Sequence, residues 1–292
     1  MDSNESNRNK KLSRRSFLKT MTLAATGLVA LPGATYGYAR YAEPKWLEVT
    51  EYTLSFARLP QQMDGIKIVQ FSDVHLGFNF DTKDLSELIG LINRIQPDIV
   101  CFTGDLVDYA VGPDGDAYAR VLSELKPPLG KYAVLGNHDY YKEAPKVEAL
   151  LKNAAFELLT NRMVRIQRHG SSFVMAGVDD QWKGYPDIDK ALARVKPEDF
   201  VLLLSHCPDF ADIAVQYPVD FQLSGHSHGG QVRLPFYGHV VTPKFGKKYV
   251  LGHYVLGAGK LQLYVNRGIG VSEHPVRFLC RPELTVFTLR KG

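Results

Sequence analysis

The sequence predicts an α/β protein, one domain with α/β layers and two facing sheets. Three observations predict it. Through the first half, short apolar runs alternate with segments of helical spacing, the β-α-β-α order of a layered fold. The second half is richer in strand-like runs. Beyond Arg40 no stretch has the composition of a linker, and no internal repeat or low-complexity segment stands out. The 292 residues, 45% of them hydrophobic, suffice for one large core or two small ones.

Taken in order, the chain opens on a leader. Ser13-Arg14-Arg15-Ser16-Phe17-Leu18-Lys19 precedes a moderately apolar run from Met21 to Leu31, and the combination resembles a twin-arginine export signal. Gly37-Tyr38-Ala39 supplies small residues for cleavage, so 1–39 reads as the signal segment and 40–292 as the folded domain. Thr20 to Ala39 carries no charge, and roughly 20 uncharged residues could also span a bilayer. The leader is therefore read as either cleaved or an anchor. It implies the twin-arginine machinery as a partner and a place outside the cytoplasm: extracellular, in the cell wall, or on the outer face of the membrane.

Trp46 to Leu59 alternates loosely and reads as an opening strand or hairpin arm. Ile66 to Phe71 is a short apolar run between Gly65 and Gly77, the pattern of a buried strand, and it runs into Ser72-Asp73-Val74-His75. Asp81 to Ile95 has helical spacing, with Leu85, Leu88, Ile89 and Ile92 on one face, Asp81 as cap and Pro97 at the end. Asp98 to Thr103 is a strand ending at Gly104-Asp105. Tyr118 to Leu125 is a helix closed by Pro127-Pro128. Lys131 to Leu135 is a strand ending at Gly136-Asn137-His138-Asp139, and Ala144 to Ala154 is a helix with Pro145 in its first turn. Met163 to Gln167 and Ser172 to Val178 form an antiparallel pair around Gly170, followed by a helix from Ile188 to Val195. Phe200 to Leu204 ends at Ser205-His206, and Phe221 to Leu223 ends at Gly225-His226-Ser227-His228. Leu261 to Val265 and Leu284 to Leu289 are late strands.

The formal net charge is +4. Residues before Arg40 hold six Lys/Arg against Asp2 and Glu5, which is the whole excess. The rest is about neutral, so the electrostatic footprint of a nucleic-acid binder is absent and no such partner is indicated. That remainder is still polarised. From Gly225 onward ten Lys/Arg face only Glu273 and Glu283, which is either a solvated basic face or a surface for a phosphate-rich substrate or anionic envelope polymer. Cys101, Cys207 and Cys280 give no disulfide framework and no zinc knuckle.

Five strand ends carry ligand-type residues: Asp73 with His75, Asp105, Asn137 with His138, His206, and His226 with His228. In an open α/β sheet such ends line the crevice where ligands bind. At one strand end alone, a surface Asp and a loop His would look the same. Five recurrences, most of them beside glycine, are not expected of independent surface residues.

D-x-H, G-D, G-N-H-D, H and G-H-x-H, in that order from Asp73 to His228, resemble the calcineurin-like metallophosphoesterase superfamily. The twin-arginine leader, Gly229-Gly230-Gln231-Val232-Arg233-Leu234-Pro235 and Asn266-Arg267-Gly268-Ile269-Gly270 extend the resemblance to its exported YkuE-like branch. The resemblance implies a four-layer α/β/β/α sandwich and two divalent metal ions. It places Asp73, His75, Asp105 and His228 on the first, and Asp105, Asn137, His206 and His226 on the second. His138 is then not a ligand but the catalytic residue on the leaving-group side. The implied reaction is hydrolysis of phosphate mono- or diesters by metal-bound hydroxide. Asp139 could orient His138 or face solvent, and Asp108 is an outer-layer candidate. Purple acid phosphatases carry Tyr where Asp108 stands, so a tyrosinate-iron centre is not expected. The donor set suits Mn²⁺, Zn²⁺ or Fe²⁺. Cys207 reads as packing, and His169, His239, His253 and His274 as structural or surface residues. Arg267 and Arg233 could contact a substrate phosphate. Two rival readings stand beside this one: a nucleotide-lipid pyrophosphatase of the UDP-diacylglucosamine type, and an envelope-polymer-binding protein whose metal site is structural.

Overall fold

In the computed structural model, which describes residues 32–292 and the single positions Arg15 and Lys19, two six-stranded sheets lie face to face. Apart from those two positions, the leader through Leu31 lies outside the described residues. The first sheet runs, in spatial order, β1 (Glu48–Phe56), β14 (Glu283–Lys291), β2 (Lys67–Phe71), β3 (Ile99–Phe102), β4 (Lys131–Ala133) and β5 (Glu157–Leu158). The second runs β12 (Gly252–Leu256), β13 (Leu261–Val265), β9 (Phe221–Ser224), β8 (Val201–Leu204), β7 (Ser171–Gly177) and β6 (Arg162–Arg168). A small hairpin, β10 (Arg233–Leu234) with β11 (Gly238–His239), stands apart from both.

Side-chain alternation explains the layers. On β2, Val69 and Phe71 point toward α1 (Thr82–Ile95), α2 (Gly115–Ser123) and α3 (Ala144–Asn153), while Ile68 points into the gap between the sheets. On β8, Leu202 and Leu204 enter that gap, and Val201 and Leu203 meet α4 (Ile188–Leu192) and α5 (Ala211–Ala214). The order is therefore helix, sheet, sheet, helix, as expected from the sequence resemblance. The three apolar clusters, with the side chains packed against them, draw on residues between Leu47 and Leu289, so the body from residue 32 onward holds its cores complete.

Most elements match their sequence signals. In α1 the Asp81 carboxylate accepts the N–H groups of Lys83 and Asp84, at 2.8 and 3.0 Å, and the helix ends at Gln96 in left-handed backbone. Helix α2 begins at Gly115, ahead of the expected Tyr118. The opening strand is not a hairpin arm. It pairs in parallel with β14, Glu48 opposite Glu283, and β14 is wedged between it and β2. The pairs β10–β11, strand β12 and helix α5 carry no distinct sequence signal and were not expected.

Strands β2, β3 and β4 are mutually parallel, as are β7, β8, β9 and β13, so their carboxyl ends gather at one edge of the sandwich. Toward that edge the inter-sheet space turns polar. The Gln70 amide donates to Thr103 Oγ1 and the Ser224 carbonyl, both at 3.0 Å.

Candidate metal centre

The five strand ends converge at that edge. Asp73 and His75 follow β2, Asp105 follows β3, Asn137 and His138 follow β4, His206 follows β8, and His226 and His228 follow β9. All eight side chains are buried. Asp73, His75, Asp105, His226 and His228 have positive φ, between 50° and 68°. Such backbone costs a non-glycine residue on the order of 1–3 kcal/mol. Five instances in one place mark a site whose chain path is set by side-chain direction rather than by comfort. The adjoining glycines are there for space: a Cβ on Gly136 would collide with Asp105, and one on Gly225 with Ser72 and Asp73.

Hydrogen bonds fix which ring nitrogen of His75, His206 and His226 is free, because a carbonyl or carboxylate oxygen can only accept. His206 donates Nδ1–H to the Thr103 carbonyl at 2.7 Å, and His226 donates Nε2–H to the Lys244 carbonyl at 2.7 Å. Their remaining nitrogens, Nε2 and Nδ1, face each other at 3.1 Å. His75 donates Nδ1–H to Asp108 at 3.1 Å, which leaves its Nε2 3.0 Å from His228 Nε2. Around these nitrogens stand the oxygens. Asp105 Oδ2 lies 3.2 Å from His206 Nε2 and 3.7 Å from His75 Nε2, Asn137 Oδ1 is 3.2 Å from His206 Nε2, and Asp73 Oδ1 is 3.4 Å from His228 Nε2.

Facing lone pairs repel unless a cation lies among them, so the donor set fits divalent metal ions. Two groups form, Asp73-His75-His228 and Asp105-His206-His226, each with ligand atoms within 4.8 Å of one another. Asp105 also groups with His75 and His138, which puts it between the two. The electrostatics agree. Burial, then the neighbouring His206, pushes His226 down to about 3, and burial beside His75 holds His228 well below the usual imidazole range. Both rings stay neutral, as ligands must. Burial opposes charge on His206, yet Asp105 and Asp73 push it up to about 10. Asp105, though buried, is held well below the usual carboxylate range by His206 and His138. The carboxylates draw positive charge to this point in whatever form it comes.

His138 Nδ1–H donates to the Asp108 carbonyl at 2.6 Å, and its ring lies edge-on to His75 at 4.5 Å. Its backbone N–H donates to Asp105 Oδ1 at 2.8 Å. It lines a cleft of about 570 Å³ that also reaches Asp105, Asn137, His226 and His228. Asp108 thus holds both His75 and His138, through its side chain and its carbonyl. Asp139 neither orients His138 nor faces solvent. Its carboxylate accepts the N–H groups of Asp105, Leu106, Val107 and Gly136, tying the turns after β3 and β4 together.

Other expectations are corrected. Arg267 is not free for a phosphate: it donates to Glu283 at 3.1 Å and Glu48 at 2.9 Å. Arg233 donates to the Gly229 carbonyl at 2.9 Å and is not among the residues lining the cleft. His274, read as structural or surface, is indeed exposed, at the rim of the cleft. Cys207 is buried with its thiol on Asp180, as packing requires. Sequence reasoning passed over Tyr141 and Trp182, which wall the cleft beside His138 and His226, and Ser272, whose hydroxyl is 3.4 Å from His138 Nε2. It also passed over Arg277. That side chain is fully buried and donates to the carbonyls of Arg267, Gly268, Gly270 and Cys280, pinning the loop that covers Asp73. The Asn-Arg-Gly-Ile-Gly run was the available signal: Ile269 and Gly270 donate to the Ser72 and Asp73 carbonyls.

Residues 66–230 match the family described as calcineurin-like phosphoesterase. An uncharacterized metallophosphoesterase, YkuE of Bacillus subtilis, is 44% identical over 289 residues, covering 96% of this chain and 99% of its own. Phosphodiesterase YaeI of Escherichia coli is 31% identical, covering 95% and 99%. The UDP-2,3-diacylglucosamine pyrophosphatase LpxG of Chlamydia muridarum is 28% identical, covering 91% and 96%.

Proposed function

The chain belongs to the calcineurin-like phosphoesterase family and is a metal-dependent phosphoester hydrolase; from that premise we propose a dinuclear phosphodiesterase acting outside the cytoplasm. The observation that carries the reading is two pairs of opposed imidazole nitrogens, His75 with His228 and His206 with His226, on either side of Asp105. Asp73, His75, Asp105 and His228 would hold one ion, and Asp105, Asn137, His206 and His226 the other, with Asp105 shared. Such a pair acidifies water and polarises phosphoryl oxygens when bound. Mn²⁺, Zn²⁺ and Fe²⁺ all suit the mixture of carboxylate, amide and imidazole.

The protein's own part is positioning. Asp108 fixes the His75 ring through Nδ1, and the Thr103 and Lys244 carbonyls fix His206 and His226. The Asp108 carbonyl holds His138 Nδ1–H, which directs Nε2 toward Ser272 and the cleft. From there His138 would hand a proton to the departing oxygen. A diester is favoured because a relative of similar length is named a phosphodiesterase. The pyrophosphatase reading has support in LpxG. The twin-arginine leader supports export, and a reporter fused behind it should leave the cytoplasm only while Arg14 and Arg15 are intact.

The test is turnover of paired chromogenic phosphomonoesters and phosphodiesters by protein stripped of metal and refilled with Mn²⁺ or Zn²⁺. Refilling should restore turnover, with the diester faster. Asp105→Asn should lose activity and metal together. His138→Ala should keep two metals per chain while losing about 10²–10⁴ in rate, the usual contribution of a positioned acid. Equal loss of metal in both variants would remove His138 from the proposed role.

A further inference from the structure

The cleft has one wall that the metal centre does not use. Val232, Val240, Val241, Pro243 and Val276 make it apolar, and it leads out to the β10–β11 hairpin. At the hairpin tip Tyr237 N–H donates to the Leu234 carbonyl at 3.3 Å, closing a four-residue turn. Pro235 takes the second position and Phe236 the third with φ 64°. A turn of this kind favours glycine or asparagine at the third position. Here an aromatic side chain is held in left-handed backbone, fully exposed, beside Tyr237 at 74% exposure and ahead of Val241 at 72%. Strain and exposure fall on the same residue.

The surroundings say what this tip meets. From Gly225 to Val250 the chain has Arg233, Lys244, Lys247 and Lys248 and no Asp or Glu. Among neighbours from other elements, Asp212 takes Lys248 and Glu273 lines the cleft. The hairpin also adjoins the start of the described body. Arg233 N–H donates to the Phe278 carbonyl, the Tyr38 and Phe278 rings meet edge to face at 6.4 Å, and Arg277 N–H donates to the Ala39 carbonyl. Tyr38 and Ala39 therefore lie near the base of the hairpin.

We propose that the β10–β11 hairpin is a membrane-docking element: Phe236 and Tyr237 enter the interfacial zone of an anionic bilayer, and Lys244 and Lys247, which hold no ion pair among the described residues, supply positive charge in the same stretch of chain. Aromatic side chains with basic neighbours suit that zone, where positive charge is attracted to the anionic surface. Docked so, the cleft opens at headgroup level, and the apolar wall from Val232 to Val241 lies along the acyl chains. Resting on the phosphoesterase reading above, the substrate is then the phosphodiester or diphosphate of a membrane lipid.

The experiment uses residues 32–292, which hold all three cores, with its metals refilled. Flotation is measured with phosphatidylglycerol vesicles and with phosphatidylcholine vesicles, and turnover of a soluble chromogenic diester is read in parallel. The protein should float with the anionic vesicles, and Phe236→Ser/Tyr237→Ser should weaken this at least about tenfold without changing soluble turnover. A Phe236→Trp variant should blue-shift its emission on those vesicles. Failure of the parent to bind, or equal binding by the double serine variant, overturns the docking proposal. Absence of soluble turnover with flotation intact overturns the phosphodiesterase reading instead.

Discussion

Asp139 shows how much can hang on one carboxylate beside a functional histidine. It is 1% exposed and accepts four backbone N–H groups, three of them from the turn that carries Asp105. Replacing it by alanine strands four buried donors, at about 1–3 kcal/mol each. Asp139→Ala should therefore fold poorly or melt well below the parent, whereas His138→Ala, whose ring faces the cleft, should melt within a few degrees of it. Thermal melts of the two variants side by side check this. The metal-facing residues were legible in the sequence because each ends an apolar run. The roles of Asp139 and Arg277 were not, because their partners are backbone N–H groups and carbonyls contributed by turns. Arg267 looked like a phosphate ligand only while Glu48 and Glu283 were out of sight.

Strands and helices were easier to read than their pairings. The alternation of Ile68 with Val69 and Phe71, or of Leu202 and Leu204 with Val201 and Leu203, already assigns two faces to each strand. It cannot say that β1 lies parallel to β14, because that register joins Glu48 to Glu283 across nearly the whole chain. Nor did periodicity show β12 or the two-residue strands of the hairpin, which are too short for it. The turns after the strands are the tightest elements. Gly225→Ala would drive a Cβ into Ser72 and Asp73. It should lower metal content to less than half in the refilled protein, measured by elemental analysis, while the far-UV spectrum of the two sheets persists. Retention of full metal content would mean that the β9 turn can shift without disturbing Asp73.

At the level of the whole molecule, the candidate centre joins the two sheets, since the residues that would hold its ions follow β2, β3 and β4 on one side and β8 and β9 on the other. Metal binding is then also a clamp. Saturation at a hundred times Kd adds about 2.7 kcal/mol to stability, so a chelator should lower the melting temperature by several degrees, and Asp105→Asn should melt at the same temperature with or without it. An unchanged melt of the parent on chelation would mean that the sheets hold together without help from the ions. The same view gives the C-terminal strand an unexpected duty. Because β14 is not added at an edge but inserted between β1 and β2, a chain lacking Glu283–Lys291 leaves β1 without its partner and makes β2, still paired to β3, the edge of the sheet. A strand from late in the chain thus fastens the earliest strand of the sandwich, and limited proteolysis of a chain lacking β14 should cut first at β1.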